Sequence, residues 1–206
     1  VRATDIAIVV VAVPERAEMA LRLAAKVGGD EVLIDGNHSG ALYNHLRALG
    51  FGATSRADYL VVMEDDAIPC DDFREHAEAW FRRCPDDLIS FYLGTARPPQ
   101  YMDTIDIKIQ KADESGDDSI VLNRLVHGVS YGLPTKRIDA VLTKCTAQGA
   151  ADFVIGDAWR NLIGRPVIYP VVSLVDHRDG EVIEHHRDGA FIRGYRHARR
   201  WLGGVT

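Results

Sequence analysis

The 206 residues are 47% apolar and 26% charged, an ordinary globular balance in a chain long enough to bury one core as a single domain. No apolar run approaches the ~20 residues that span a bilayer, and a net charge of -6 argues against a surface that coats nucleic acid uniformly. Three widely spaced cysteines, Cys70, Cys84 and Cys145, fit neither a disulfide framework nor a thiolate zinc site, and point to a reducing cytoplasm.

Residues 6–13 form a continuous, β-branched apolar run, the pattern of a strand covered on both faces, without the basic start and cleavage site of a secretory signal. A helix is predicted over residues 15–27, with Ala17, Met19, Leu21, Leu23 and Ala24 apolar and Gly28-Gly29-Asp30 as its stop. Residues 31–34 read as a short strand ending in the turn signal Asp35-Gly36. Ser39 is expected to cap a helix in which Leu42, Leu46 and Leu49 recur until Gly50. Residues 59–63 are another buried strand, followed at once by Glu64-Asp65-Asp66; Pro69 turns the chain, and Asp71-Asp72 open a helix to about Arg83. A strand at 88–93 precedes a polar loop at 94–100 and an irregular acidic stretch at 111–119. A strand or strand pair is predicted over 122–133, helices over 135–148 and 157–162, and a strand over 167–175. Strands alternating with helices predict an α/β domain, a mostly parallel sheet flanked by helices.

The sharpest chemical signal is Glu64-Asp65-Asp66, three adjacent carboxylates directly after an apolar strand. Ligands of open α/β sheets collect beyond the C-terminal strand ends. Like charges this close repel, and a hard divalent cation with phosphate oxygens around it relieves the repulsion. The competing reading is a solvated acidic turn ahead of the helix at Asp71.

Strand–Glu-Asp-Asp-Ala–Ile-Pro resembles the Asp-X-Asp region of GT-A-fold glycosyltransferases, especially the lipooligosaccharide galactosyltransferases (family 25) and short phage-type relatives. Weaker matches accompany it in order: Val-Pro-Glu-Arg, Ile-Asp-Gly, Ser-Phe-Tyr-Leu-Gly and, more specific, Pro-Val-Val-Ser-Leu-Val-Asp-His. Together they span most of the chain. The resemblance implies a GT-A-like (Rossmann-like) domain over residues 1–185, with residues 186–206 an arginine- and aromatic-rich helix or tail. It implies Mn²⁺ or Mg²⁺ bound by Asp66, with Asp65 at the ribose or metal and Glu64 nearest the strand. His177 matches the late histidine that completes such a site, and imidazole suits Mn²⁺ better than Mg²⁺. The alternative for His177 is a surface histidine between Asp176 and Arg178.

By the same resemblance, Pro14, Glu15 and Arg16 seat the donor nucleotide, with a UDP-linked sugar the expected donor, and Asp35 accepts hydrogen bonds from base or ribose. Ordinary turn chemistry competes at Glu15 and Arg16. Tyr92 and Gly94 are expected beside the sugar, near His127, Gly128, Ser130 and Tyr131. Asp157, after Gly156 at an expected helix start, is the favoured base and Asp152 the second candidate; the family's usual Glu-Asp pair is missing here, and Asp157 also suits an N-cap. A single base would invert the anomeric carbon, with retention as the alternative outcome.

Arg193, Arg196, Arg199 and Arg200 interleave with Phe191, Tyr195 and Trp201. Three readings compete: a helix packing its aromatics on the core, phosphate contact with DNA, and attachment to an anionic membrane surface. The acceptor is accordingly open between a hydroxymethylated pyrimidine in DNA and a glycan or protein. A nucleotidyltransferase, a dinucleotide fold or a P-loop would want glycines where Val-Pro-Glu-Arg-Ala stands. A non-catalytic carbohydrate-binding or virion module is the remaining alternative, and His185-His186 read as surface.

Overall fold

The two-residue period of the first strand decides the layering. All seven residues of β1 (Ile6–Ala12) are buried. Ala7, Val9 and Val11 enter one core cluster, while Ile6, Ile8, Val10 and Ala12 enter the other. A strand buried on both faces needs a helical layer on each. The computed structural model, which describes residues 4–178 and 196–204, supplies both. On one face lie α1 (Ala17–Val27) and α3 (Phe73–Arg83), through Leu23, Val27, Phe73 and Phe81. On the other lie α2 (Ala41–Thr54), α4 (Pro99–Ser115), α5 (Ile138–Leu142) and α6 (Ala151–Ile163), through Leu49, Ile105, Ile138 and Trp159.

Between them runs one sheet containing β2 (Glu31–Ile34), β3 (Tyr59–Glu64), β5 (Leu88–Ser90), β6 (Ser119–Leu122), β7 (Ser130–Pro134) and β8 (Val167–Pro170). Its order is β2-β1-β3-β7-β5-β8-β6. β1 is parallel to β2 and β3, and β5 to β8, whereas β7 opposes both its neighbours and β6 opposes β8. The α/β class is as expected, but the sheet is mixed. A second, two-stranded sheet pairs β4 (Ala67–Pro69) with β9 (Val175–His177). None of the described helices is long and apolar enough to cross a membrane.

Several local expectations need correction. The stretches read as loop and acidic coil are joined by α4, whose buried stripe, Ile105, Ile109 and Ala112, is narrow and set among polar residues. α2 starts after Gly40, with no side-chain cap from Ser39, and continues through Gly50 because Gly52 packs on Leu60 and Ile138. α3 begins at Phe73 rather than at the aspartates. The helix expected over 135–148 is a 3-10 turn plus the short α5, and the one expected at Asp157 begins six residues earlier, at Ala151. The run 122–133 divides into the end of β6, a loop and β7; the run 167–175 divides at Pro170 between two sheets. The expected tail helix is absent from residues 196–204, which are bends and isolated bridges; Phe191, Arg193, Tyr195, His185 and His186 lie outside the described residues.

Gly156 shows how tightly α6 is docked: a Cβ there would stand 2.5 Å from the backbone nitrogen of Leu125. Gly156→Ala is expected to cost ~1–3 kcal/mol by overpacking, read as a lower denaturation midpoint at unchanged m-value. An unaltered midpoint would show that the loop yields freely.

Candidate functional site

The site forms where β1 and β3 end side by side. Their register sets Val11 beside Glu64, so the residues after both strands open into one cleft of about 220 Å³. Val13, Arg16, Asp35, His45, Glu64, Asp65, Asp66 and Arg196 are among its lining residues. Buried strands thus end in charged residues at a single concave place, as expected for a sheet of this class.

Asp65 and Asp66 are both buried, and burying neighbouring carboxylates requires compensation. Arg16, at the end of the 3-10 turn Pro14–Arg16, supplies it. Its Nη1 donates to Asp65 Oδ1 at 3.0 Å and to Asp66 Oδ2 at 2.7 Å. The second compensation crosses 111 residues of sequence. β4 pairs with β9 so that Ala67 faces His177, and His177 Nε2 comes within 3.4 Å of Asp66 Oδ2. The Arg178 amide also donates to the Asp66 carbonyl, at 2.8 Å.

The two acids respond differently. Burial pushes the Asp65 carboxyl up to about 6; the Asp66 charge adds to that, and Arg16 only partly offsets it. Burial acts upward on Asp66 as well, but the hydrogen bond and charge of His177, with Arg16 beside them, hold it below the usual carboxylate range. Asp66 is therefore the ionised member that a cation would find.

Whether a divalent ion suits these residues turns on their unused atoms. Asp66 Oδ1 and His177 Nδ1 are buried without hydrogen-bond partners. No group of three His, Cys, Asp or Glu side chains arranged to hold an ion occurs among the described residues. Two protein donors suit an ion that keeps water and draws its remaining ligands from substrate phosphates, the usual habit of Mg²⁺ at such sites. The donor set fits on those terms.

Beyond Glu64 lies Asp152, in the first turn of α6, close to Glu64 at Gly128 although not itself part of the cleft wall. Burial pushes its carboxyl up to about 6, Glu64 adds to the shift, and His45 opposes it. Asp157 lies mid-helix with its carboxylate gripped at two points by Arg124, Nε donating to Oδ1 at 2.7 Å and Nη2 to Oδ2. Of the two base candidates, only Asp152 faces the acids at the end of β3.

The other expected donor residues divide. Arg16 and Asp35 line the cleft, although Asp35 Oδ2 already accepts the Gly40 N–H at 2.8 Å. Glu15 is exposed, beside His38 at 3.4 Å, and Pro14 opens the turn without lining the cleft. Tyr92 and Gly94 serve the C-terminal segment: the Tyr92 hydroxyl donates to the Arg196 carbonyl, and Gly94 bridges Ala198. Arg47, on α2, donates to the Ile34 carbonyl and to Asn44 Oδ1, both at 3.1 Å. His127 is buried with Nε2 on the Arg97 carbonyl at 2.7 Å, and burial lowers its pKa to about 4. His45 and Asn44 gave no sequence signal, since nothing local ties them to the strand ends, and Arg196, read only as a tail arginine, joins the cleft lining.

Two arginines of the C-terminal segment are paired within the fold. Arg199 pairs with Asp106, and Arg200 makes two bonds of 2.7 Å to Asp113, both acids on α4. Asp176 holds the segment down by accepting the Ala198 N–H at 2.6 Å and meeting His197 Nδ1 at 3.0 Å. Asp176→Ala removes both contacts and is expected to speed hydrogen exchange at the Ala198 amide about tenfold or more, equivalent to ~1.4 kcal/mol. Exchange at the native rate would assign the anchoring to other bonds.

The chain matches no family model and no curated protein. Among solved structures it is similar to A197 from STIV, at 11% identity and a TM-score of 0.49, over 88% of this chain and 100% of that one.

Proposed function

We propose that the chain is a glycosyltransferase of GT-A-like architecture, moving a sugar from a nucleotide-linked donor, UDP-sugar first among the candidates, to a hydroxyl acceptor. The observation that carries this reading is that Asp66, contacted by Arg16 and His177, lines one cleft together with Glu64, whose charge in turn acts on Asp152. The first group suits a cation and a diphosphate; the second suits proton removal from an acceptor.

Asp66 and His177 would hold Mn²⁺ or Mg²⁺, which when bound supplies positive charge to the departing diphosphate. Arg16 stands between Asp65 and Asp66 and can turn toward phosphate oxygens once a cation takes over its charge-balancing place. The strand-end residues Val11 to Val13, with Gly40 and Ala41, offer a mostly uncharged wall for the nucleoside. Asp152 takes the acceptor proton, and a carboxyl that titrates near 6 is matched to that task near neutral pH. Asp157, spoken for by Arg124, is left out of the chemistry. The pairing of Arg199 and Arg200 removes two of the four arginines on which DNA contact by the tail would draw.

A thermal-shift screen of nucleotide sugars with and without Mn²⁺ tests the proposal. The expected result is a rise of about 5 °C that needs both components, lost in Asp66→Asn together with donor hydrolysis. Nucleotide sugars that leave the midpoint unmoved at every metal concentration would remove the transferase reading, and binding without turnover would favour a carbohydrate-binding module.

A pH series supplies a second test. Activity is expected to climb as pH rises through about 6, where Asp152 loses its proton. Stability moves the opposite way. Because the folded carboxyl titrates above its usual 3.8, its contribution is complete below that pH and is lost as pH rises through about 6. Asp152→Asn should flatten both trends.

A further inference from the structure

His45 lies mid-α2 at 1% exposure, a polar side chain beside the apolar Ala48 and Leu49. Its Nδ1 is 3.2 Å from the Tyr131 hydroxyl, and Tyr131 has no other hydrogen-bond partner among the described residues. The phenol is fully buried, and burial drives its pKa well above the ordinary value, so it keeps its proton. An O–H left without an acceptor there is costly, which makes Tyr131 the donor and Nδ1 the acceptor. The imidazole proton then sits on Nε2, which faces Glu64 Oε1 at 3.4 Å and has no hydrogen-bond partner of its own.

Gly128 marks the space this arrangement frames. A Cβ added there would lie 3.3 Å from Glu64 Oε1, 3.5 Å from Asp152 Cβ and 3.8 Å from His45 Cε1. Three polar side chains, from β3, α6 and α2, therefore converge on the position that a side chain at 128 would occupy.

We infer that His45 is a positioning residue: with its tautomer set by Tyr131, it turns its Nε2–H toward the Glu64 carboxylate, 3.4 Å away, and so orients that carboxylate toward Gly128 and Asp152, where the acceptor hydroxyl docks. This rests on the sugar-transfer reading of the cleft. In the transfer step the acceptor oxygen bonds to the anomeric carbon while its proton passes to Asp152. The bond from that carbon to the phosphate oxygen breaks, and its electron pair leaves with the nucleoside diphosphate. Glu64 accepts a hydrogen bond from the acceptor and fixes its approach, so His45 acts on the step only through Glu64. The groups that face Asp152 are Glu64 from β3, His45 from α2, the phenols Tyr131 and Tyr169, and the Phe153 amide, which donates to its Oδ1 at 2.8 Å.

The test uses the full chain with His45→Phe, His45→Gln and Glu64→Gln. Carboxyl-detected NMR follows the Asp152 titration whether or not a donor has been identified. The midpoint is expected to move up in His45→Phe and down in Glu64→Gln, because the positive end of the His45 Nε2–H dipole lowers it and the Glu64 charge raises it in the native cleft. With an active donor, His45→Phe should lower kcat about tenfold at unchanged donor KM, with the acid limb of the rate profile displaced upward. His45→Gln keeps an N–H close to the Nε2 position and should recover most of the rate. Tyr131→Phe keeps the packing, covers the case in which His45→Phe does not fold, and should lower kcat in the same direction. A folded His45→Phe or Tyr131→Phe chain with the native Asp152 midpoint and native kcat overturns the inference. Titrations that shift as expected in a chain that turns over no donor uphold the His45 geometry and overturn the transferase reading instead.

Discussion

Two aspartates buried side by side at the end of a strand are the constraint that organises this cleft. Asp65 and Asp66 follow β3 directly, and neither has bulk water to disperse its charge. Their compensation arrives from opposite ends of the chain: Arg16 from the turn after β1, and His177 from β9. Neither partner alone balances both acids. The split outcome, Asp66 held ionised and Asp65 pushed toward its protonated form, follows from His177 reaching one and not the other. A site poised this way is receptive to a cation without having to collapse in its absence, because the arginine keeps the acids in place.

The small second sheet exists to make that meeting possible. β4 has only three residues, and its partner β9 has three, too few for independent stability. The pair is reinforced from outside. The Cys70 amide bonds to the Leu174 carbonyl, Leu174 and Val175 donate to the Phe91 carbonyl, and residues 196–204 lie over the same region, with Ser173 and Arg200 sharing a bond of 2.8 Å. Asp176 faces that segment while its neighbour His177 faces Asp66, as alternation along a strand dictates. Residues 196–204 thus belong to the fold around the site, and two of their arginines, Arg199 and Arg200, pair with α4 acids.

What was legible in the sequence follows from how local each signal is. β1, α1 and β3 carry continuous apolar patterns with glycine or acidic boundaries, and they stand where those patterns put them. The acidic triplet was legible because three carboxylates after a buried strand need an explanation within a few residues. α4 was not, since its three buried positions are spaced by polar residues and its start follows two prolines. Gly156 read as the approach to a helix start because glycine is poor in helix interiors; here contact with the Leu125 backbone excludes any side chain and overrides propensity. His45 and the Arg124 grip on Asp157 were invisible for a different reason. Each depends on a partner 19 to 86 residues away whose register only the folded sheet sets.

The antiparallel course of β7 explains why the loop before it, and not its own C-terminal end, adjoins Glu64 at the edge of the cleft. In an all-parallel sheet each strand delivers its C-terminal end to the functional edge. β7 runs the other way between β3 and β5, so it is the residues before it, 123 to 129, that arrive beside Glu64. The Glu64 amide donates to the Val129 carbonyl at 2.9 Å, which extends the ladder by one step into the cleft and brings Gly128 against the carboxylates. The same register pairs Val62 with Tyr131 and so sets the phenol that meets His45 from α2. A parallel strand in that position would place Pro134 at the cleft and carry Gly128 to the far side of the sheet. The mixed topology is therefore part of the site's chemistry: it is what lets Glu64, Asp152 and His45 close around a residue with no side chain.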